Sequence, residues 1–293
     1  MFNSVEELLQ ICASENKPIS QVMLEFEIKQ SNLTRENIIG EMKRNLEVMR
    51  TAVAFGFKGV KSTTGLTGGD ALKLETYIKS GRALSGDAML TACATAIATN
   101  EVNAAMGVIC ATPTAGSAGT IPGALLMLEE KLNLTEEQMV NFLLTSGAFG
   151  LITANNAFIS GAAGGCQAEI GTSSAMAAAA TVEVAGGTPE QSAHAFAIAL
   201  ANMLGLICDP VAGLVEVPCI KRNAAGSSNA LISADMALAG LVSEIPPDEV
   251  ISAMYEVGKA MPTEFKETAE GGLAATPTGC AIKKRIFGAE CSG

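Results

Sequence analysis

Tryptophan is absent from this 293-residue sequence, tyrosine occurs only 2 times and histidine 1 time. With His194 as the sole imidazole, a Ser-His-Asp triad or a His-ligated zinc site would have to be built around one residue. Glu190 is the only carboxylate three or four positions from it, so His194 reads as a packed or half-exposed helical side chain. Acid-base work then falls to Lys, Asp or Glu, or to a residue on another chain. Basic residues are scarce too, with Lys and Arg totalling 19 against 30 Asp and Glu, a net charge of −11. No basic cluster relieves that imbalance, which excludes the electrostatic footprint of a nucleic-acid partner. Met1 to Leu8 lacks a basic n-region and an apolar h-region, so no secretory leader is expected and the cytoplasm is the expected compartment. The most membrane-like run, Ala193 to Ile207, is short, carries His194 and Asn202 and has no Lys/Arg flank. It reads as a buried helix, and no membrane partner is expected. A P-loop, a Gly-x-Gly-x-x-Gly turn after a strand, and a Cys-x-x-Cys pair are all missing, which removes the usual signals for nucleotide and zinc.

Sustained β-branched alternation is also missing, so the expected class is mainly α, with few or no strands. What is present is 30 glycines, 13 methionines and 8 cysteines, with 48% of residues hydrophobic and only 17% charged. That composition excludes a disordered chain and predicts a compact bundle of Ala/Gly-rich helices whose backbones approach closely. Helix starts are well marked. Ser4 with Glu7, Thr135 with Gln138, and Thr188 with Gln191 have capping-box spacing, and Pro189 stands at a first helical position. Pro18, Thr34 and Pro246-Pro247-Asp248 mark further starts, and Ser173 to Val184 is helix-forming sequence with almost no bulk. Gly271-Gly272 and Thr276-Pro277-Thr278-Gly279 read as a closing loop. The whole chain, 1–293, is expected to be one catalytic domain, with an amphipathic helical arm over 1–50 and a helical core over 51–293.

Four segments concentrate glycine with small polar residues: Lys61-Ser-Thr-Thr-Gly-Leu-Thr-Gly-Gly-Asp70, Thr112-Pro-Thr-Ala-Gly-Ser-Ala-Gly119, Ser160-Gly-Ala-Ala-Gly-Gly-Cys166 and Asn223-Ala-Ala-Gly-Ser-Ser-Asn229. Any one of them reads as a tight turn or helix crossing. Together they suit a small anionic substrate such as an amino or hydroxy acid, held by N–H groups and hydroxyls. Lys61 adjoins the first loop, as a candidate acid-base group or as a solvated turn lysine. Cys166, Cys208 and Cys219 lie in glycine- or proline-bounded segments, where three thiolates brought together would suit an iron-sulfur cluster. Their spacing alone favours buried core thiols over a cluster. Cys12, Cys93 and Cys110 read as core residues on apolar helical faces, and Cys280 and Cys291 lie near the C-terminus.

The stretches Gly59 to Asp70, Asn100 to Gly107, Ala111 to Gly119, Gly161 to Glu169 and Cys208 to Cys219 resemble, in order, those of the α chain of iron-sulfur-dependent L-serine dehydratases. The resemblance runs from about residue 50 to residue 288. It implies a 4Fe-4S cluster on Cys166, Cys208 and Cys219, with the fourth iron left for substrate. It further implies Lewis-acid-assisted loss of the β-hydroxyl of L-serine, then hydrolysis of aminoacrylate to pyruvate and ammonium. Ser62, Thr63, Thr64, Thr114 and Ser117 are the expected contacts to the α-carboxylate, and Lys61 the expected base or carboxylate contact. Single-chain relatives carry an extra N-terminal half, so a separate β subunit is expected here. Cys291 is a conceivable tail ligand. Two rivals remain on the sequence alone: an L-cysteine desulfidase with sulfide as leaving group, and a non-catalytic iron-sulfur scaffold or sensor. A pyridoxal-phosphate dehydratase is disfavoured by the missing α/β alternation.

Overall fold

A computed structural model describes residues 2–288; Cys291 lies outside them. Helices dominate. The first group is α1 (Val5–Glu15), α2 (Ile19–Ser31), α3 (Arg35–Gly56), α4 (Asp70–Lys79), α5 (Asp87–Ala104), α6 (Thr120–Leu132) and α7 (Glu136–Asn156). After the short α8 (Gly161–Gly164) come α9 (Thr172–Val184), α10 (Pro189–Ala201), α11 (Cys219–Leu238), α12 (Pro247–Ala260) and α13 (Pro277–Phe287). Among the described residues there is no β-strand, only the isolated bridges Lys61–Gly68 and Cys208–Lys266. The fold is therefore mainly α. No helix of the described residues is long and apolar enough to cross a membrane.

The small side chains explain the architecture. α9 is the central helix, with Ala175 and Ala177 to Ala180 fully buried, and α6, α7, α10 and α11 pack around it. Where α3 crosses α5, a Cβ on Gly56 would stand 2.3 Å from the Ala98 carbonyl oxygen, so only glycine permits that approach. Large side chains fill the outer layer of the core, where Phe149 stacks on Phe196 at 4.8 Å. Phe2, ahead of α1, and Val5, Leu8 and Ile19 of the first two helices belong to the same hydrophobic cluster as the α6, α7 and α9 residues.

Local capping works as its spacing predicts. Thr34, Thr135 and Thr188 each accept the N–H three residues on, within reciprocal capping boxes. Ser4 accepts from Glu7 N–H, while the Glu7 carboxylate turns to Asn3 N–H instead. Three expectations change. Thr276 accepts from Gly279 N–H and opens α13, so the supposed closing loop is a helix start in which Pro277 occupies the first turn. Cys110 lies in the irregular segment after α5, not on a helical face. The run Ala193 to Ile207 is helical only to Ala201.

Four helix starts are also capped from distant elements. Asp248 accepts from Val5 and Glu6 N–H at 2.8 and 3.0 Å, and Glu183 from Ser20 N–H at 3.3 Å. Glu101 accepts from Asp70 N–H at 2.6 Å, and Asn223 Oδ1 from Gly119 and Thr120 N–H at 3.0 and 3.1 Å. Each acceptor satisfies amides that an α-helix leaves unpaired at its first turn. Burial raises the Glu101 carboxyl above its ordinary value of 4.5, against the pull of the Asp70 and Ala71 N–H groups. The folded chain thus binds this proton more tightly than the unfolded chain. The stabilisation it brings is full at low pH and is lost as pH rises from about 4.5 through the raised value. Glu101→Gln keeps an acceptor and cannot ionise. Its denaturation free energy is expected to shift in the variant's favour, relative to wild type, between about pH 4.5 and pH 7. A difference independent of pH would refute this reading.

Candidate active site and metal centre

Cys166 follows Gly165, whose φ of +77° is open to glycine, and whose added Cβ would lie 2.6 Å from the Met261 sulfur. The chain then makes a single π-helical turn, Gln167–Gly171, before α9 begins. Such turns are uncommon and often mark functional sites. Cys208 is held by its backbone, donating N–H to Phe265 O at 2.8 Å and accepting from Glu267 N–H at 2.9 Å. Cys219 is the first residue of α11, directly after Pro218. All three thiols are buried. Cys166 Sγ, Cys208 Sγ and a Glu169 carboxylate oxygen lie within 4.8 Å of one another.

Charge around this centre is arranged unevenly. The Cys208 thiol, placed to donate toward Cys166, lowers the Cys166 pKa below an ordinary thiol, and the Arg222 guanidinium assists against burial. The same contact raises Cys208, with burial adding to it. Burial raises Cys219, reinforced by the charges of Cys166 and Glu169. Burial also raises Glu169. Arg222 Nη1 stands 3.6 Å from Cys166 Sγ and donates to Ile207 O at 2.9 Å. It also pairs with Asp209 Oδ1 at 2.8 Å. Asp209 in turn accepts from Leu273 N–H at 2.7 Å, which ties the approach to α13 back onto the cysteine segment.

The donor set fits a thiolate-held iron-sulfur cluster. Two buried thiols, Cys166 and Cys208, lie within 4.8 Å of each other, a third, Cys219, is buried at the start of α11, and a cation stands beside Cys166. Room is kept by glycine: a Cβ at Gly161 would lie 2.7 Å from both Cys208 Sγ and Glu169 Oε2.

The hydroxyl loops attach to two carboxylates. Thr64 Oγ1 donates to Glu216 Oε1 at 2.7 Å and Thr67 Oγ1 to Glu216 Oε2 at 2.6 Å. Ser62 Oγ lies 3.1 Å from Thr64 Oγ1 and accepts from Thr67 N–H at 3.2 Å. Lys61 and Thr63 are exposed. Lys61, Thr67, Glu216, Pro218 and Lys221 line a cavity of about 340 Å³ beside the start of α11. On the other loop, Thr114 Oγ1 donates to Glu169 Oε1 at 2.7 Å. Ser117, fully buried, donates to Thr112 O at 2.9 Å and lies 3.2 Å from Thr114 Oγ1. Thr114 and Ser117 are thus joined to the Cys166–Cys208 centre through Glu169. Ser62 and Thr64 are joined to Glu216 in the segment between Cys208 and Cys219.

Sequence reasoning passed over Glu169, Asp209, Glu216 and Arg222. A usable signal existed, since Glu169 and Arg222 each follow a candidate cysteine by three residues, one helical turn. His194 is half-buried, and its Nδ1 accepts from Ser243 N–H at 3.2 Å. It serves packing of the α10 face.

Comparison with known proteins adds an independent line. A family profile described as Serine dehydratase alpha chain matches residues 14–274. The probable L-serine dehydratase, alpha chain, of Bacillus subtilis is 64% identical, covering 98% of this chain and 96% of its own length. The L-serine dehydratase, alpha chain, of Peptoniphilus asaccharolyticus is 44% identical, covering 97% of this chain and 98% of its own. An L-serine dehydratase of Haemophilus influenzae is 37% identical over 93% of this chain, which spans 61% of that protein.

Proposed function

This chain belongs to the serine dehydratase alpha chain family, and on that premise we propose that it is the catalytic α chain of a cytoplasmic L-serine ammonia-lyase. L-serine would be converted to pyruvate and ammonia, with a separate β subunit as partner. The observation that carries this is the close set of Cys166 and Cys208 with Glu169, which together with Glu216 grips the hydroxyl-bearing loops. The names of the two alpha-chain relatives support the β subunit.

Cys166, Cys208 and Cys219 would hold a 4Fe-4S cluster, which when bound supplies a Lewis acid that makes the β-hydroxyl a better leaving group. The protein's own groups orient the amino acid. Thr114 presents a hydroxyl beside the cysteine centre, with Ser117 fixing the Thr114 N–H at 3.3 Å. Ser62 and Thr64, engaged with each other and with Glu216, set the shape of the loop that carries Thr63 and Lys61. In this reading Lys61 on the cavity rim removes the α-proton or contacts the carboxylate, and Thr63 contacts the carboxylate directly. Orientation of this kind accounts for large factors in rate, because the bound geometry replaces an entropic search.

Two measurements test the reading. Anaerobically purified chain, assembled with its β subunit, is expected to form pyruvate from L-serine and to release little sulfide from L-cysteine. Sulfide release from L-cysteine without pyruvate from L-serine would make it a desulfidase, and full cluster occupancy with no turnover of either would make it a scaffold. Glu216→Ala frees both threonines of the loop and is expected to lower kcat/KM for serine by roughly 10- to 100-fold, as ångström-scale misplacement does. An unchanged kcat/KM would detach Glu216 from catalysis.

A further inference from the structure

Glu169 is a buried carboxylate whose two oxygens face different groups. Oε1 takes the Thr114 hydroxyl at 2.7 Å. Oε2 lies on the Cys208 side, since the point where a Gly161 Cβ would stand is 2.7 Å from both that oxygen and Cys208 Sγ, which puts the two atoms no more than twice that distance apart. Cys166 Sγ completes a set whose ligand atoms all lie within 4.8 Å of one another, and Cys219 does not join that close set. We propose that Cys166, Glu169 and Cys208 form, in the cluster-free chain, a site for one divalent cation of the zinc type, and that this ion excludes the cluster.

Chemistry selects the ion. Two thiolates and one carboxylate suit a borderline-soft cation that accepts four ligands in a tetrahedron, with water as the fourth, and do not suit calcium or magnesium. With metal–sulfur bonds of about 2.3 Å and metal–oxygen bonds of about 2.1 Å, tetrahedral ligands stand ~3.5–3.8 Å apart. The existing set closes onto such an ion by small side-chain movements. Thr114 already holds the outer oxygen of Glu169, as a hydrogen-bonded partner orients a ligating carboxylate. Ion binding displaces the thiol protons to solvent, and no redox change accompanies it. The site and the cluster differ in one ligand: the ion uses Glu169, and the cluster uses Cys219. Both use Cys166 and Cys208, so they are mutually exclusive.

The proposal stands apart from serine turnover, and its test contains no substrate. Cluster-free protein, kept reduced and anaerobic, is titrated with Co²⁺ and its visible spectrum recorded. One equivalent is expected to give tetrahedral d–d bands with sulfur-to-cobalt charge transfer, displaced by one equivalent of Zn²⁺. Cys219→Ser is expected to leave this spectrum intact. Glu169→Gln, with unchanged circular dichroism, is expected to weaken Co²⁺ binding beyond the roughly 10- to 100-fold typical of a lost outer-shell partner. Loss of the spectrum in Cys219→Ser, or its survival with unchanged affinity in Glu169→Gln, would overturn the assignment. In a second arm, protein preloaded with Zn²⁺ is offered iron and sulfide beside zinc-free protein. Cluster absorption only in the zinc-free sample is expected, and equal absorption in both overturns the exclusion. No absorption in either sample would count against the cluster itself while leaving the cobalt result to decide the ion site.

Discussion

Cys208→Ala is expected to reduce bound iron and acid-labile sulfide to background and to cut serine turnover by at least about 10³-fold, ~4 kcal/mol in the barrier. The size follows from the role: a metal Lewis acid contributes several kcal/mol of charge stabilisation that no neighbouring side chain replaces. The loss would not come from unfolding. Cys208 is positioned by main-chain hydrogen bonds to Phe265 and Glu267, which alanine retains, and it belongs to a small cluster with Cys166 and Ile170, apart from the main hydrophobic core. Iron and sulfide analysis beside a thermal melt separates the two outcomes. A variant that keeps a full cluster would remove Cys208 from the ligand set. A variant that loses both cluster and fold would make it a structural residue. Cys166→Ala and Cys219→Ala are expected to behave alike in iron content, although they differ at the single-ion site.

The second large effect is on stability. Asn223 is fully buried on α11 and uses its whole amide. Oδ1 accepts from Gly119 N–H, Thr120 N–H and Thr120 Oγ1 at 3.0, 3.1 and 3.2 Å. Nδ2 donates to Gly116 O at 2.7 Å and to Cys219 O at 2.9 Å. Asn223→Ala leaves Gly119 N–H without this acceptor, at about 1–3 kcal/mol for an unsatisfied group, and removes one partner each from Thr120 N–H and Gly116 O, which keep Ser117 O and Asn100 Nδ2. With the lost packing of the amide, a net loss of about 2–3 kcal/mol is expected, read as a lower denaturant midpoint of the cluster-free chain. A loss under about 1 kcal/mol would show that the network is replaceable. The same amide links the Thr114–Ser117 loop to the carbonyl of Cys219, so the variant is expected to bind cluster less firmly at temperatures where it remains folded.

What could be read in advance was what depends on neighbours in the chain. Thr135 with Gln138 and Thr188 with Gln191 act over three residues, and both capping boxes form where their spacing puts them. The absence of strands among the described residues and the packing role of Ala177 to Ala180 follow from composition, because side chains this small allow helices to close on one another. Thr276-Pro277-Thr278-Gly279 misled because proline and glycine punctuate turns and helix starts alike, and the choice was made by packing beyond the motif. At the site, the cysteines were visible as residues that need bounded, glycine-rich surroundings. Glu169 and Glu216 were not, although they stood inside quoted motifs, because a carboxylate gains meaning only from what folds against it. The threonine hydroxyls were expected to face substrate. Thr64 and Thr114 donate to Glu216 and Glu169, a pairing across 152 and 55 residues of chain that no local pattern encodes, and each hydroxyl oxygen keeps acceptor capacity for a ligand.

The remote helix caps carry a consequence for how this chain reaches its native state. The acceptors for α1, α2, α4 and α6 lie 243, 163, 31 and 104 residues away along the chain. A helix whose first-turn amides wait for such partners gains that part of its stability only after a long loop has closed. Helical proteins usually fold quickly because their contacts are local, and here an appreciable share is not. α1 is made before α12 and meets Asp248 only after the intervening chain has been made. Completion of its first turn is thus coupled to the placing of α12 across 243 residues of chain.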